Sequence, residues 1–460
     1  MAKLGSLLRP KQDVDMSEGS IVRHLISFSL PLMLGNIFQI FYNTVDTWVL
    51  GNYVGGQAYS AVGSVGSITT LLIGIFMGLS SGAGVVISQY YGAQQEDKVQ
   101  DAVHTSIMMT LILGIIFTFL GIAITPLMLG LMNMPPETIP DATTYLVIYF
   151  AGITGLMIYN MGAGILRAVG DSQRPFYFLV FCAILNTVLD LVFVLGLGKY
   201  IPGVAGVALA TIISQLISAI LVTCTLMRST NCVKLSLRKL KIHRHVMRKI
   251  LIVGVPAAVQ MAITSFSNIF VQGYINHFGT GCMGGWTSYA KIDSVVMIPM
   301  SSIALASTTF VGQNLGKNQV ERARKSVTTA LLICVMSTIA VSIPIIVFAP
   351  QLAAFFNSEA DILEHAVLML RWMTPFYFVS CFTNIYAGAL RGAGNSKAPM
   401  IIMLASYVGF RQIYLFIMSR VWNEVLPIVL GYPAGWIVCA LALTIYYHKA
   451  NLEKSRLVDD

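Results

Sequence analysis

The chain has 460 residues, of which 56% are hydrophobic and only 11% are charged. Because this charged share is about half of that in soluble domains, a water-soluble globular protein is excluded. Much of the formal net charge of +9 comes from one basic segment at mid-chain. The hydrophilic residues 1–19 contain no signal-peptide core, so we expect the first apolar run to remain as a membrane helix.

Apolar runs of about 20 or more residues recur along the whole chain, and each can cross roughly 30 Å of hydrocarbon as a helix. They predict twelve membrane helices, six in each half of the chain. The first six are expected near residues 24–50, 57–90, 102–126, 141–166, 175–197 and 203–227. The second six are expected near residues 250–276, 284–312, 327–349, 362–390, 398–419 and 426–448.

One sixteen-residue stretch occurs twice, which indicates that the second half repeats the first. Residues 160–175 read NMGAGILRAVGDSQRP, and residues 384–399 read NIYAGALRGAGNSKAP. Eight of the sixteen positions are identical, where about one is expected by chance. Six helices per repeat make both halves begin on the same side of the membrane. We therefore expect an all-α integral membrane protein with two pseudo-symmetric six-helix lobes, related by an axis along the membrane normal.

The distribution of lysine and arginine predicts the orientation. With the N-terminus in the cytoplasm, 24 of the 29 basic residues fall in tails and loops on that side. The five exceptions are Lys199, Lys291, Arg371, Arg411 and Arg420. By the positive-inside rule, both termini are expected in the cytoplasm, with the chain in the cell inner or plasma membrane.

This layout divides the chain into five parts. They are an N-terminal tail (1–23), an N-lobe (24–227), a basic cytoplasmic linker (228–249), a C-lobe (250–448) and a C-terminal tail (449–460). The linker holds eight basic residues in 22 and no acid. It is open to two interpretations, a patch for lipid head groups or nucleic acid, or a topology anchor between the lobes, and the anchor is the simpler.

No arrangement typical of an enzyme or of a metal centre is found. Small-residue clusters at 63–67 and 80–84 lie inside apolar helices, so helix packing explains them better than a nucleotide loop. The seven cysteines are scattered, and among the seven histidines only His243 and His245 are closely spaced. We therefore expect no enzyme, no structural metal and no cofactor.

The first predicted helix carries a polar stripe that ends in an acid. Spacings of three, four and three residues place Asn36, Gln39, Asn43 and Asp46 on one helix face, which must look onto water or protein. Pro31 removes a backbone hydrogen bond fifteen residues before Asp46, so this helix is expected to bend or break nearby.

The fifth predicted helix carries Asn186 and Asp190 one turn apart on one face. Counted from the cytoplasmic helix ends at about 1.5 Å per residue, these two side chains and Asp46 reach the same depth in the outer half of the membrane. A network common to the fold should occur in both halves, but the second half lacks these groups, which favours a functional role. The alternative is a buried, partly protonated Asp pair that braces the first and fifth helices. The equivalent positions hold Val271, Phe410 and Tyr414.

Two carboxylates in a site of low dielectric constant cannot both ionise cheaply, so this pair is expected to take up a proton. The same oxygens are also suitable ligands for Na⁺, and the residues alone do not choose between the two ions. Lys291, Asp293 and Arg411 are weaker candidates, since internal salt bridges explain such charges as well as substrate contact does. A further alternative for Arg411 is that its side chain reaches toward the outer surface.

Several short motifs recur in a fixed order along nearly the whole chain. They are Pro31 with Asp46, the QYYG and QNLG segments at 89–92 and 313–316, the doubled LRxxGxS, NTVLD at 186–190 and GVALAT at 206–211. Together they resemble the multidrug and toxic compound extrusion (MATE) family. The resemblance implies two six-helix lobes and the export of amphipathic or cationic drugs or toxic metabolites by antiport against H⁺ or Na⁺.

In the branch that the chain resembles most, an Asp, Asn, Asp and Thr set in the N-lobe binds the coupling cation. By motif these residues are Asp46, Asn186, Asp190 and Thr211. Another branch uses acids in the seventh and tenth helices, where this chain has no internal acid. The implied partners are small amphipathic or cationic substrates and the lipid bilayer. Neither nucleic acid nor an obligate protein partner is expected, and the protein is expected to be a monomer.

One alternative is a flippase for a lipid-linked oligosaccharide or other lipid-like substrate, which has a related two-lobed fold. Such relatives usually show fourteen helices and a strongly cationic cavity, whereas this chain has twelve predicted helices and few internal cations. A membrane receptor or scaffold is a more distant alternative, since it would not need intramembrane acids.

Overall fold

The computed structural model describes residues 14–132, 134–198 and 200–458, so Lys199 and parts of both predicted tails lie outside it. Twelve helices in these residues are long and apolar enough to cross a membrane, which confirms the predicted all-α fold. We number them α1 to α12. Their bounds are Ile21–Val54, Gly56–Gly92, Glu96–Gly130, Ile139–Ala168, Gln173–Gly196, Gly203–Arg228, Arg244–Asn276, Thr280–Gly316, Val320–Val347, Ala360–Gly392, Lys397–Val421 and Val425–Lys449.

Several of these helices depart locally from α-helical geometry. Helix α1 ends in a π-helical segment at Leu50–Val54, α5 ends in another at Val192–Gly196, and α11 contains a third at Ala405–Phe410. A 3₁₀ turn at Thr374–Phe376 interrupts α10, and a short helix at Ala349–Phe356 precedes it. Since π-helical segments occur frequently at functional sites, the segments in α1, α5 and α11 indicate candidate functional regions.

The chain forms two compact units. Among the described residues, the first comprises Val14, Asp15 and 34–251, and the second comprises 16–33 and 252–458. The chain therefore passes from the second unit to the first within α1, between Met33 and Leu34. Helix α1 continues through Pro31 without interruption, so the helix is not broken there, and a bend at this residue stays a prediction.

Each unit is built around the fourth helix of its repeat. In the first unit α4 packs against α2, α3 and α6, and in the second unit α10 packs against α8, α9 and α12. These are equivalent pairs in the two halves of the sequence. The repeated sequence therefore produces the same packing arrangement twice.

The doubled sixteen-residue motif forms the same helix termination in both units. In the first, Gly170 donates its N–H to the Arg167 carbonyl at 3.0 Å, and Asp171 donates to the Leu166 carbonyl at 3.0 Å. The second unit repeats both bonds from Gly394 and Asn395, at 2.8 and 2.9 Å. This Schellman pattern requires a left-handed residue, and the two glycines have φ of +88° and +99°.

We expect Gly394→Ala to destabilise the protein by about 1–2 kcal/mol, because a Cβ disfavours left-handed backbone. The new Cβ would also meet the Ser455 carbonyl and the Leu457 side chain. Gly273→Ala is the matched control, since no atom lies within 4 Å of a Cβ built on that helical glycine. Thermal unfolding in detergent measures both variants, and equal melting temperatures would contradict the prediction.

Candidate functional site

The first unit brings together the four residues predicted to hold a cation. Asp46 lies on α1, Asn186 and Asp190 lie on α5, and Thr211 lies on α6. The carboxyl groups of Asp46 and Asp190 lie beside each other, with the Thr211 side chain beside Asp46. Three separate helices therefore meet at one polar cluster.

These side chains are withdrawn from the surface. The exposed fraction is 2% for Asn186, 0% for Asp190 and 5% for Thr211, while Asp46 is half-buried. Such burial is expensive for polar groups that lack partners.

Most polar atoms of the cluster have no hydrogen-bond partner among the described residues. Both carboxyl oxygens of Asp190, Oδ1 of Asp46 and both amide atoms of Asn186 are buried and unpartnered. The Thr211 hydroxyl donates to the Val207 carbonyl at 3.1 Å, so its oxygen can still accept a hydrogen bond or a cation. The fold therefore concentrates polar atoms, most of them oxygen acceptors, that are not satisfied by one another.

A hard cation or a proton fits this set of atoms. Carboxylate, amide and hydroxyl oxygens are ligands that suit Na⁺, and a proton shared by two carboxylates relieves their repulsion. The cluster contains no histidine or cysteine, and the described residues hold no group of three His, Cys, Asp or Glu arranged for a metal ion. Its chemistry therefore favours a proton or a hard cation over a transition metal.

Three tyrosines that the sequence analysis missed surround the carboxylates. Tyr42 lies one turn before Asp46, and Tyr145 of α4 lies near both carboxylates. Tyr149 stacks on Tyr145, with ring centroids 6.1 Å apart. These rings place phenol groups beside the carboxylates, which combine an apolar face with a polar hydroxyl.

A signal for these tyrosines was present in the repeat. Tyr145 and Tyr149 are one helical turn apart, and their equivalents 224 positions later are Met369 and Met373. Thr211 likewise corresponds to Gly435. The loss of polar groups in the second half therefore extends beyond the two acids, and this difference was a signal that pointed to Tyr145 and Tyr149.

Two of the three π-helical segments adjoin this cluster. Leu50–Val54 begins one turn after Asp46, and Val192–Gly196 begins two residues after Asp190. Since a π-helical segment widens the backbone hydrogen-bonding ring, it changes how the adjacent side chains project. Both carboxylates thus sit where their helices are least regular.

The rest of the polar stripe on α1 is less buried. Asn36 is half-buried, while Gln39 and Asn43 are exposed. These two side chains are therefore not enclosed with Asp46 inside the first unit.

In the second unit, Asp293 is held by phenol groups. It accepts hydrogen bonds from Tyr377 at 2.5 Å and from Tyr289 at 3.4 Å. The two hydroxyls are also 2.8 Å apart. Lys291 is exposed, and none of the ion pairs found among the described residues joins it to Asp293.

Arg411 is buried at 3% exposure and donates hydrogen bonds through Nη2 to Ser267 Oγ and Asn268 Oδ1, at 3.0 and 2.9 Å. Its guanidinium carbon lies 4.6 Å from the centre of the Tyr432 ring. The charge is therefore held by neutral groups, and the internal salt bridge considered from the sequence is not found in the described part of the second unit.

Comparison with known proteins agrees with this architecture. The family profile described as MatE matches residues 31–192 and 256–417, so it covers both repeats. The probable multidrug resistance protein YoeA of Bacillus subtilis is 28% identical over 438 residues, covering 94% of each chain. The probable multidrug resistance protein NorM of Thermotoga maritima is 28% identical, covering 93% of this chain and 90% of that one.

A solved structure described as MATE in the bent conformation superposes with a TM-score of 0.89 at 25% identity. The superposition covers 96% of this chain and 97% of that one. The likeness therefore extends over all twelve helices and both units.

Proposed function

The chain belongs to the MatE family, and from that membership we propose that it exports amphipathic drugs, cationic ones included, by antiport against H⁺ or Na⁺. As a member of a transporter family it is a multi-pass membrane protein and not an enzyme. The relatives named above are described as probable multidrug resistance proteins, which supports drugs or toxic metabolites as substrates.

One observation carries the choice of coupling site. The side chains of Asp46, Asn186 and Asp190 have buried polar atoms without partners, and they converge within a single unit. Two adjacent ionised carboxylates repel each other in a buried site, so binding a proton or Na⁺ there is favourable. Thr211 supplies a further oxygen beside Asp46.

Coupling follows if the cation and the drug favour different conformations. A ligand shifts a conformational equilibrium only by its differential affinity for the two states. Cation binding removes the repulsion between α1 and α5, so it stabilises the state in which Asp46 and Asp190 are close. A drug that binds the other state is then released when the cation enters.

Transport by purified protein in liposomes tests the function and identifies the ion. A fluorescent cationic drug is loaded, and a pH gradient or an Na⁺ gradient is imposed separately. Efflux above that of protein-free liposomes is expected under one of the gradients. No gradient-dependent efflux under either condition would contradict cation antiport.

The proposed orientation places both termini in the cytoplasm, because the basic residues concentrate on that side. In a background without native cysteines, Lys239→Cys and Lys325→Cys are expected to react with an impermeant thiol reagent only from the cytoplasm. Tyr200→Cys, at a position with 84% exposure between α5 and α6, should react only from outside. Labelling of Lys239→Cys from outside would reverse the topology.

A further inference from the structure

The second unit contains a buried cation without a counter-ion. None of the ion pairs found among the described residues includes Arg411, and Nε of its guanidinium is buried without an acceptor. Burying a charge within a membrane span is costly unless an opposite charge or a full set of hydrogen bonds compensates it. This residue has only part of such a set.

Asp293 is an acid in the same part of the unit. Asp293 and Arg411 both interact electrostatically with the Tyr432 hydroxyl, so both side chains lie near it. The hydrogen bonds of Asp293, however, come from Tyr289 and Tyr377. None of the hydrogen bonds or ion pairs found among the described residues joins the guanidinium to this carboxylate, so the two groups are not in direct contact.

A cluster of aromatic rings begins at the guanidinium. The guanidinium lies over Tyr432, whose ring centroid is 5.2 Å from that of Trp286 and 6.3 Å from that of Trp436. The Trp436 ring in turn lies 5.4 Å from Tyr377. Such faces bind flat aromatic groups in offset or edge-to-face arrangements.

This arrangement belongs to the second half alone. The positions equivalent to Arg411, Tyr432 and Trp436 in the first half hold Thr187, Ala208 and Ile212. The π-helical segment Ala405–Phe410 directly precedes the arginine, as such segments also adjoin the two carboxylates of the first unit. The two halves therefore carry different charged clusters on the same repeated fold, acidic in the first unit and centred on Arg411 in the second.

Asn268 shows how an anion would approach. Its Oδ1 accepts a hydrogen bond from Nη2 at 2.9 Å, and its side chain is exposed, so the guanidinium lies one side chain beneath the surface of the unit. A carboxylate oxygen in place of this amide oxygen would form a charge-assisted bond of about twice the strength. The second carboxylate oxygen would then be near Nε, in the fork geometry that arginine favours.

We propose that Arg411 binds the carboxylate of an aromatic amphipathic solute, with the rings of Tyr432, Trp286 and Trp436 contacting its aromatic part. This rests on the proposed export function and extends its substrates from cations to aromatic acids and zwitterions. The first unit holds the coupling cation, and this cluster of the second unit selects an anionic group.

Binding of 1-pyrenebutyrate and of its neutral amide to the purified transporter at neutral pH tests the proposal by fluorescence titration. The two probes share the aromatic part and differ only in the carboxylate. Wild type is expected to prefer the carboxylate about tenfold or more, in line with a charge-assisted bidentate contact. Arg411→Gln should lose that preference while binding the amide as before, and Arg411→Lys should recover only part of it.

Arg420→Gln is the matched control. Arg420 lies on the same helix and its guanidinium is also 4.6 Å from a ring centre, that of Phe416, but it is exposed. Its loss should leave the preference unchanged. Equal binding of the two probes by wild type, or an unchanged preference in Arg411→Gln, would overturn the proposal.

Asn268→Asp provides a second test that does not remove the arginine. A carboxylate at this position should pair with the guanidinium and displace the probe's carboxylate, so the preference should disappear with the folded yield retained. A persisting preference in this variant would exclude the site even if Arg411→Gln failed to fold. Asp46→Asn should keep the probe preference, which separates failure of this site from failure of cation coupling.

Discussion

Asp46→Asn and Asp190→Asn are each expected to abolish efflux driven by a cation gradient while leaving drug binding intact. Each change removes a charge but preserves the size of the side chain. The uncharged amide can no longer take up a proton or neutralise Na⁺, so the free-energy coupling between cation and drug is lost. Couplings of this kind are typically about 1–3 kcal/mol, equivalent to roughly 5–150-fold in affinity.

The repeat supplies the control for this experiment. Val271→Asn and Tyr414→Phe alter the equivalent positions of the second half, which carry no acid, and should leave gradient-driven efflux near the wild-type rate. Folded yield and drug binding are measured for all four variants. Wild-type transport by Asp46→Asn under the same gradient would remove the site from the first unit, and Asp293 would become the next candidate.

Asn186→Leu is expected to lose coupling without losing stability. Both amide atoms of this buried residue lack protein partners, so the folded protein already bears the cost of desolvating them. That cost is about 1–3 kcal/mol for an unsatisfied buried group, and a leucine of similar size removes it. Thermal unfolding should therefore occur at the same or a higher temperature, while cation-driven efflux falls at least about tenfold.

Asn160→Leu is the matched change within the same unit. The Asn160 amide donates to the Leu156 carbonyl of its own helix at 2.9 Å, so it is partnered within the fold. Its replacement should leave the coupling to the cation intact. A clear loss of thermal stability in Asn186→Leu, accompanied by normal coupling, would identify Asn186 as a brace between helices and not as a cation ligand.

The twelve helices follow from the sequence because the bilayer imposes a simple condition. In hydrocarbon the backbone must satisfy its own hydrogen bonds, so apolar runs of sufficient length form helices whatever their neighbours are. Position within the repeat then specifies packing, since equivalent sequences pack in the same way. The glycines of the doubled motif were recognisable as a repeat, but their left-handed conformation became visible only in the structure.

The candidate cation site was accessible from the sequence because three independent cues agreed. Acids are rare in membrane spans, helical spacing placed Asn186 and Asp190 on one face, and depth placed Asp46 at the same level. Tyr145 and Tyr149 lie on a fourth helix, α4, and only the structure places that helix beside the other three. Spacing along one helix says nothing about which neighbour that helix contacts.

The sequence by itself therefore determined that the protein lies in a membrane, how many helices it has, that its two halves are a repeat, and which acids lie within the spans. Each of these depends on local composition or on comparison of the two halves. Only the tertiary structure decided which polar atoms remain without partners and that Arg411 is paired with neutral groups and an aromatic ring. Those properties depend on contacts between residues that are far apart in the chain, such as Asp46 with Asp190 or Ser267 with Arg411. Hydrogen-bond satisfaction is a property of three-dimensional neighbours, and residue order alone does not specify it.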